Sequence, residues 1–446
     1  MFRGFSQLFK KSGKDLRKRI YFTLLCLGIF CLGTRISIPG VDVIDNIYES
    51  LGVLQIFDLM SGGGLQTFSI FALGVSPYIT ASIITQLLQM DVVPYFKELK
   101  EQGYVGRQKI NKINRYIAII LAFLQAYMLC ILYLNNPGTI ETIRFSVIMT
   151  AGTCFCLWMG DQITKNGIGN GSSMIIMAGI VQSMPAIFAK AFNGFIHGAY
   201  SIPIGITYFS IFVLIYILII VGIIYMQLAE RRIPIQYANR TTSAYGANQS
   251  YLPIKLNAAN VIPVIFAQIL LTIPSMIAAF TKNQNATDFI SKYIQYNSPT
   301  GLIIYIILIL FFSYFYTFMV LNPEDMSKNL NQRGGYIPGI RPGNDTAKYI
   351  SKSVSRLTIV GGIGLAILAI LPVLFQMIFR NNASLAAVSI GGTGLLIVVG
   401  VAIETYRQIE SRLLSNSYKE KRKRLRWKVW FLLLLPLVVK EHKVLI

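Results

Sequence analysis

The stretch Leu59-MSGGGLQTFSIFALGVSPYITASIITQLLQ-Met90 decides how this chain is organised. It carries no charged residue and lies between Asp58 and Asp91. As one continuous helix it would be roughly 48 Å long at about 1.5 Å per residue, whereas the hydrocarbon core of a bilayer is about 30 Å thick. The stretch is therefore too long for one straight span and too short for two.

The same stretch contains its own helix breaks, which are Gly62–Gly64, Gly74 and Pro77. In a helix interior, glycine costs about 1 kcal/mol and proline about 3 kcal/mol relative to alanine. We predict a short broken piece over 65–73 followed by a full span over 75–90. Interrupted helices at membrane depth occur where protein buries them or where they line a cavity, and in transporters they mark the translocation site.

The composition indicates an integral membrane protein rather than a soluble one. The chain has 446 residues, of which 54% are hydrophobic and 13% charged, with a net charge of +22. The apolar residues come in uncharged runs near span length, separated by polar loops that must hold the excess positive charge. We predict ten spans, at about 20–38, 75–90, 115–134, 145–160, 172–189, 205–228, 260–280, 301–321, 357–379 and 386–403.

The loop charges orient these spans. The segments on one side hold 33 Lys and Arg residues, against four on the other side. By the positive-inside rule, this bias places both termini in the cytoplasm. The N-terminal segment 1–19 is basic, but the apolar run after it lacks the small-residue cleavage site of a secretory signal peptide.

Three cytoplasmic segments, 229–256, 322–356 and the tail 414–446, are longer than topology requires. For the tail, a topology signal and a docking role remain equally open, and we assign it no function. For 322–343 we favour docking, because Gly, Pro and aromatic residues that impose turns are not needed for a charge signal. A shaped basic loop suits an acidic partner, such as ribosomal RNA phosphates or an acidic protein face.

No catalytic or cofactor-binding constellation is visible in the sequence. The five cysteines lie in apolar segments and only two histidines exist, which argues against a disulfide framework or a zinc site. The run Gly167-IGN-Gly171 lacks the lysine of a phosphate-binding loop, and we interpret it as a tight turn between two spans. We therefore predict a protein that is not an enzyme and has no cofactor.

Several blocks of the chain match one family. They are 69–88, 162–176, 227–240, 251–267, 322–343 and 391–410, and they include Glu230-RRIPIQYAN-Arg240 and Arg333-GGYIPGI-Arg341. Through these blocks the chain resembles the SecY family, the channel subunits of the bacterial protein-translocation machinery. One departure is Asn260, at a position where the family usually has glycine.

The resemblance implies an all-α polytopic membrane protein with ten transmembrane helices. They would form two pseudo-symmetric five-helix halves around a central pore, with a short re-entrant plug helix at about 60–73. The first half would cover 20–189 and the second 205–413, joined by an external hinge loop at 190–204.

The resemblance also implies functional residues. The pore ring would be formed by Ile79, Ile83, Ile176, Ile180, Ile262, Ile265 and Ile397. The plug would include Gly62, Gly63, Gly64, Leu65 and Phe68. The lateral gate would include Thr80, Thr85, Gln86, Asn260 and Gln268. Cytoplasmic docking would use Arg231, Arg232, Arg240, Arg333 and Arg341.

The function implied is a passive protein-conducting channel in the bacterial plasma membrane. It would pass unfolded secretory preproteins and release apolar segments sideways into the lipid bilayer. The implied partners are SecE and SecG in the membrane, and the SecA ATPase or the ribosome at the cytoplasmic loops. The alternative is a secondary transporter of a small solute, which shares broken helices but should carry a polar or charged midplane site.

Overall fold

The computed structural model of the chain is mostly helical. It describes residues 14–40, 61–65, 67–89, 93–134, 138–196, 202–237, 250–281, 289–290, 292–294, 298–378 and 394–413. Arg240, the tail 414–446 and most of the N-terminal segment 1–19 lie outside these described residues, so the predictions made for them are not examined by the structure.

Twelve helices of eight or more residues lie within the described part of the chain. They are α1 Lys14–Gly33, α2 Ser76–Leu88, α3 Pro94–Glu101, α4 Tyr104–Tyr133, α5 Thr139–Asn166, α6 Gly171–Ile196, α7 Ile202–Leu228, α8 Ile262–Thr281, α9 Pro299–Val320, α10 Pro323–Gln332, α11 Asn344–Ile378 and α12, which covers 394–413. Each of the ten predicted spans overlaps one of these helices.

Six of the described helices, α4, α5, α6, α7, α9 and α11, are long and apolar enough to cross a membrane. The chain is thus a multi-pass membrane protein. Helix α2 has only 13 residues, about 20 Å at about 1.5 Å per residue, which is less than a bilayer core. The helix lies where we predict a full span over 75–90, so the interruption of the uncharged stretch agrees with the prediction, but the described helix is shorter than a full span.

Two helices extend well beyond the predicted spans into predicted cytoplasmic loops. Helix α4 has 30 residues and begins at Tyr104, and α11 has 35 residues and begins at Asn344. The hydropathy pattern missed these extensions because their first turns are polar and charged. The predicted external loop at 190–204 is also shorter than expected, since α6 continues to Ile196 and α7 begins at Ile202.

The departure from an all-helical chain is a small antiparallel sheet. Strands β1 Glu230–Tyr237, β2 Ser250–Lys255 and β3 Gly335–Tyr336 lie in the order β2-β1-β3. Ile233 and Ile235 of β1 are buried while their neighbours are exposed, which is the period of two expected for a sheet with one covered face. The sheet therefore joins the two long loops 229–256 and 322–356.

The helices pack in two sets. Helices α1, α2, α4, α5 and α6 contact one another, and α7, α8, α9, α10 and α11 form a second set. Contacts of α6 with α7 and of α4 with α8 connect the two sets. The largest cluster of buried apolar side chains draws on both sets, and it includes residues of α2 and α6 as well as α7, α8, α9, α11 and α12.

Candidate pore and gate

Helix α2 begins where the sequence interrupts the uncharged stretch. Gly74 has a φ of +53°, in the left-handed region that glycine adopts at little cost. Pro77 lies in the first turn of α2, where its missing N–H leaves no internal hydrogen bond unmade. These two residues end the preceding turns and start the helix, so that α2 begins only partway along the stretch.

The seven isoleucines expected in the pore ring lie in one hydrophobic cluster. Four are buried, namely Ile83, Ile176, Ile180 and Ile397, while the other three, Ile79, Ile262 and Ile265, are partly buried and pack against them. They come from α2, α6, α8 and α12, which are far apart in sequence. Four helices therefore bring branched aliphatic side chains to one place, an arrangement that can form an apolar constriction.

Helix α12 approaches this cluster closely through a glycine. A Cβ atom built on Gly394 would lie 2.8 Å from Cγ2 of Ile180. Any side chain at this position would therefore displace the isoleucine or the helix. The glycine allows α12 to start against α6 and brings Ile397 into the cluster.

The segment before α2, where we predict a short broken piece over 65–73, consists mainly of turns in its described residues. Where the structure describes residues 61–75, it shows successive turns, with Gly62, Gly63, Phe68 and Gly74 all at positive φ. Four left-handed residues within this stretch are incompatible with a continuous right-handed helix. The glycine spacing that marked the break thus predicts the turns, and the plug helix implied at about 60–73 is not continuous over these residues.

The segment is pinned by backbone pairing to the residues after α1. Ile38 N donates to Phe68 O at 3.1 Å, and Ile70 N donates to Ile36 O at 3.1 Å. The carbonyl oxygen of Ile70 also lies against Gly152 of α5, where a Cβ atom would collide with it. Residues 68–70 are therefore held between the chain after α1 and the surface of α5.

Leu65 and Phe68, expected in the plug, are both about 1% exposed. They pack in a second cluster with residues of α4 and α5 such as Leu129, Phe145 and Met149. They are not members of the isoleucine cluster. Of the expected plug residues, Gly62 instead approaches α6, since its built Cβ would lie 3.1 Å from Gly179 Cα.

The residues expected in the lateral gate lie on α2 and at the start of α8. Thr80 Oγ1 donates to Ser76 O at 3.2 Å, and Gln86 Nε2 donates to Ser82 Oγ at 3.2 Å, so both bond within α2. Thr85 is fully buried, and its hydroxyl has no hydrogen-bond partner among the described residues. Gln268 lies on α8, which contacts α4, the helix that packs on α2.

Asn260 lies in the turn before α8 and has a φ of +53°. Asparagine is one of the few residues other than glycine that enters the left-handed region readily. The backbone conformation therefore accounts for the departure noted in the sequence, because Asn260 occupies a position where the family usually has glycine.

A polar cavity of about 500 Å³ was not anticipated from the sequence. Its charged lining residues are Arg115, Asp161, Glu404 and Arg412, and Arg115 Nη2 lies 2.7 Å from Asp161 Oδ2. The sequence contained a weak signal for this pair, because both charges stand at the polar ends of apolar runs. The prediction that Gly167–Gly171 forms a tight turn agrees with the structure, and Gly169 and Asn170 of this turn line the cavity.

The arginines expected to dock a partner surround the small sheet. Arg231 and Arg232 are exposed on β1, and Arg333 and Arg341 are exposed on either side of β3. The guanidinium of Arg232 lies 2.9 Å from Glu230 Oε1 and 4.8 Å from the centre of the Tyr251 ring. The pKa of Arg232 is raised, chiefly by its hydrogen bond to Glu230. The electrostatic effects of Tyr251 and of the Glu230 charge act in the same direction.

The two basic loops are also joined by side chains. Tyr336 Oη donates to Gln236 Oε1 at 2.9 Å, and the backbones of the same two residues pair between β3 and β1. Beneath the sheet, Ile233, Leu330 and Ile350 belong to one buried cluster. The loops therefore form one supported surface rather than two independent loops.

Solved structures of other proteins share this fold. A solved structure described as "The structure of a protein conducting channel" matches with a TM-score of 0.65 at 18% identity, covering 90% of this chain and 93% of that chain. "Sec61 in the Canine ribosome-channel complex from the endoplasmic reticulum" matches with a TM-score of 0.62 at 19% identity over the same shares. The class defined by this fold is that of helical, multi-pass membrane proteins.

The family model named SecY matches residues 69–406. The "Protein translocase subunit SecY" of Staphylococcus carnosus (strain TM300) is 43% identical over 430 residues, covering 94% of this chain and 99% of the relative. That of Staphylococcus aureus (strain NCTC 8325 / PS 47) is 43% identical over 417 residues, covering 91% and 96%. The chain belongs to the SecY family.

Proposed function

We propose that this chain is the central protein-conducting subunit of a translocase that exports unfolded polypeptides across the plasma membrane and releases apolar segments sideways into lipid. Its family membership supports the proposal, since relatives at 43% identity are named protein translocase subunits. The observation that carries it is the convergence of seven isoleucines from α2, α6, α8 and α12 in one cluster.

The physical argument concerns what an aliphatic ring can do. A conduit for unfolded chains must pass every kind of side chain and still block ions. A constriction lined by isoleucine disfavours water when empty and thus opposes ion passage. Aliphatic side chains change rotamer easily, so the same ring can yield around a polypeptide.

The segment 61–75 is suited to close such a constriction at rest. A solved structure 19% identical to this chain is described as "The plug domain of the SecY protein stablizes the closed state of the translocation channel and maintains a membrane seal", with a TM-score of 0.64. In this chain, the glycines 62–64 and the buried turns beside α6 support an equivalent role. The sealing part would be the Ser61–Gly64 end, because Leu65 and Phe68 pack against α4 and α5.

Lateral release needs a seam between the two helix sets. We place this seam where α2 and α4 face α8 and α9, since α8 contacts α4 and the largest apolar cluster spans both sides. Thr85, Gln86 and Gln268 would lie along it. The proposed seam carries only a few polar groups and is otherwise apolar. The two helix sets can therefore separate without exposing charges to lipid.

The energy for transport would come from partners. We propose that both termini are cytoplasmic and that the sheet with Arg231, Arg232, Arg333 and Arg341 receives the SecA ATPase or the ribosome. Their exposure and the shared apolar support beneath them suit a preformed basic surface for an acidic partner. SecE and SecG would assemble with the chain in the membrane.

A secondary transporter of a small solute is the weaker alternative. Such a protein would place ionisable or polar groups at the midplane site. The seven isoleucines that meet where the described helices converge carry no polar group, and the charged cavity lies elsewhere, at the turn between α5 and α6.

Crosslinking a stalled secretory chain tests the proposal. Photoreactive probes at Ile83 and Ile180 should both label the chain during translocation, whereas a probe at Ile217, exposed on the outer face of α7, should not. Labelling from Ile217 with none from Ile83 and Ile180 would overturn the assignment. Saturable uptake of a small solute without any labelling would favour the transporter.

A further inference from the structure

Helix α6 presents two adjoining faces with different surroundings. Ile176 and Ile180, four residues apart, face the isoleucine cluster. Ile175, Gly179 and Gln182 form the neighbouring face, and Ile175 packs with Phe71 in the cluster that includes α1. The helix thus stands between the proposed ring and the segment that precedes α2.

Gln182 connects this second face to the end of α1 by hydrogen bonds. Its Nε2 donates to Thr34 Oγ1 at 3.0 Å, and its Oε1 lies 3.3 Å from the same hydroxyl. Thr34 is fully buried, and its hydroxyl donates to Cys31 O at 2.9 Å. Both polar atoms of the Gln182 amide therefore lie within hydrogen-bond distance of one hydroxyl that is itself buried and bonded.

The amide of Gln182 lies directly beside Gly62. A Cβ atom built on Gly62 would lie 3.1 Å from Gln182 Oε1 and 3.1 Å from Gly179 Cα. Gly62 is buried and has a φ of +76°, and Gly63, with a φ of +80°, has no atom of the described residues within 4 Å of its built Cβ. The segment is therefore tightly fitted at Gly62.

The part after this glycine pair has anchors of its own, and it also holds Gly64, whose carbonyl oxygen accepts a 2.8 Å hydrogen bond from Ser69 N. Thr67 Oγ1 donates to Thr34 O at 3.2 Å, and Ser69 bridges Ser37 in an antiparallel pair. Phe71 packs where a Cβ atom on Gly33 would collide with its ring. These contacts do not involve the Gln182 side chain, so they would persist if the contact at Gly62 were lost.

We propose that Gln182 is a positioning residue, held by Thr34, that fixes Ser61–Gly64 against α6 and so keeps the resting channel sealed. Residues 67–75 act as a fixed base, and opening requires Gly62 to leave its place beside Gln182 and Gly179. The inference rests on the proposed channel function and deepens it, because it names a contact that a passing polypeptide must break.

Ion leak through the reconstituted translocase tests the proposal. Gln182→Met keeps the side-chain length but removes both polar atoms, and Thr34→Val removes the hydroxyl with little change in shape. Each should raise the resting leak about tenfold, the effect of losing one buried hydrogen bond that favours a closed state. Because both remove the same interaction, the double variant should leak no more than either single variant.

Matched controls separate positioning from general destabilisation. Thr34→Ser keeps the hydroxyl and should restore the wild-type leak. Ser183→Ala removes a bond from Ser183 Oγ to Ile180 O on the same helix and should leave the leak unchanged. Translocation of a substrate with a normal signal should remain at the wild-type rate in the four single variants and in the double variant.

Two results would overturn the inference. One is a wild-type leak in Gln182→Met, and the other is a double variant whose leak is the product of the two single effects. Both are distinct from a failure of the proposed function, which would appear as a wild-type complex that conducts no polypeptide.

Discussion

The side-chain Nδ2 of Asn257 donates a 2.9 Å hydrogen bond to the backbone carbonyl oxygen of Asn260. Asn260 has a φ of +53°, and the two residues enclose the turn that leads into α8. The turn also lies against α11, because a Cβ atom on Gly361 would collide with Leu256 O. The direction of α8, and hence of Ile262 and Ile265, depends on this turn.

Substitutions at Asn260 should follow backbone preference rather than polarity. Asn260→Gly should keep stability and transport at wild-type levels, since glycine enters the left-handed region freely. Asn260→Val should lower the free energy of unfolding by about 1–2 kcal/mol, because a β-branched residue is strained at this φ. Thermal unfolding of the purified protein and an export assay would measure both effects, and equal stability of the two variants would contradict the explanation.

Gly152 and Gly28 are helix glycines that together test how residues 68–70 pack against α5. A Cβ atom on Gly152 would collide with Ile70 O, whereas one on Gly28 of α1 meets no atom of the described part of the chain within 4 Å. We expect Gly152→Ala to destabilise the protein by about 1–3 kcal/mol through overpacking. Gly28→Ala should stabilise it by up to about 1 kcal/mol through helix propensity. Unfolding temperatures that shift in the same direction would contradict the role given to Gly152.

A polar substitution should raise ion conductance when it lies in the isoleucine cluster and not when it lies on the exposed face of a helix. Ile180→Ser places a hydroxyl in the proposed constriction and should raise ion conductance in planar bilayers, because a polar lining holds water. Ile217→Ser on the exposed face of α7 is the matched control and should leave conductance at the wild-type level. A conductance that is the same in both variants would argue against a constriction at Ile180.

Reversal of one exposed charge should separate docking from folding. Arg341 is exposed, and its backbone carbonyl accepts a 2.8 Å hydrogen bond from Thr346 Oγ1, so its conformation does not depend on its charge. We expect Arg341→Glu to abolish export while leaving the unfolding temperature unchanged, because it repels an acidic partner. Lys352→Glu, also exposed but on α11, should export normally, and unimpaired export by Arg341→Glu would refute the docking role.

Lys255, the last residue of β2, should make stability depend on pH. Desolvation lowers the pKa of Lys255, as does the charge of Arg407, while Glu404 and Glu230 act in the opposite direction. The folded protein therefore releases this proton at a lower pH than the unfolded chain, whose lysine pKa is about 10.4. Between these two values the unfolded state binds more protons, so the free energy of unfolding should rise with pH.

Lys255→Met should remove that rise and stabilise the sheet near neutral pH. Because Lys255 retains solvent exposure, screening should make the change small. Unfolding temperatures measured from about pH 7 to the lysine pKa of about 10.4 would show it as a difference from wild type, with Lys328→Met as the control. Parallel pH profiles for wild type and Lys255→Met would contradict the assignment.

Much of the helical architecture was predictable because it depends on local patterns. Each predicted span overlaps a described helix, and the interruption before α2 is where Gly74 and Pro77 place it. Helix ends were predicted less well, since α4 and α11 carry polar first turns that hydropathy assigns to loops. Similarity of sequence blocks, and not spacing, was needed to select seven isoleucines from a chain rich in isoleucine.

The sequence by itself determined that this chain crosses a membrane many times and that its second apolar stretch is broken, because apolar run length and glycine or proline breaks act within a few residues. Only the tertiary structure decided which distant groups meet. It joined Gln236 to Tyr336 in one sheet, tied Thr34 to Gln182, and placed Leu65 and Phe68 against α4 and α5. Such contacts depend on how whole helices pack, and no local pattern of side chains encodes that packing.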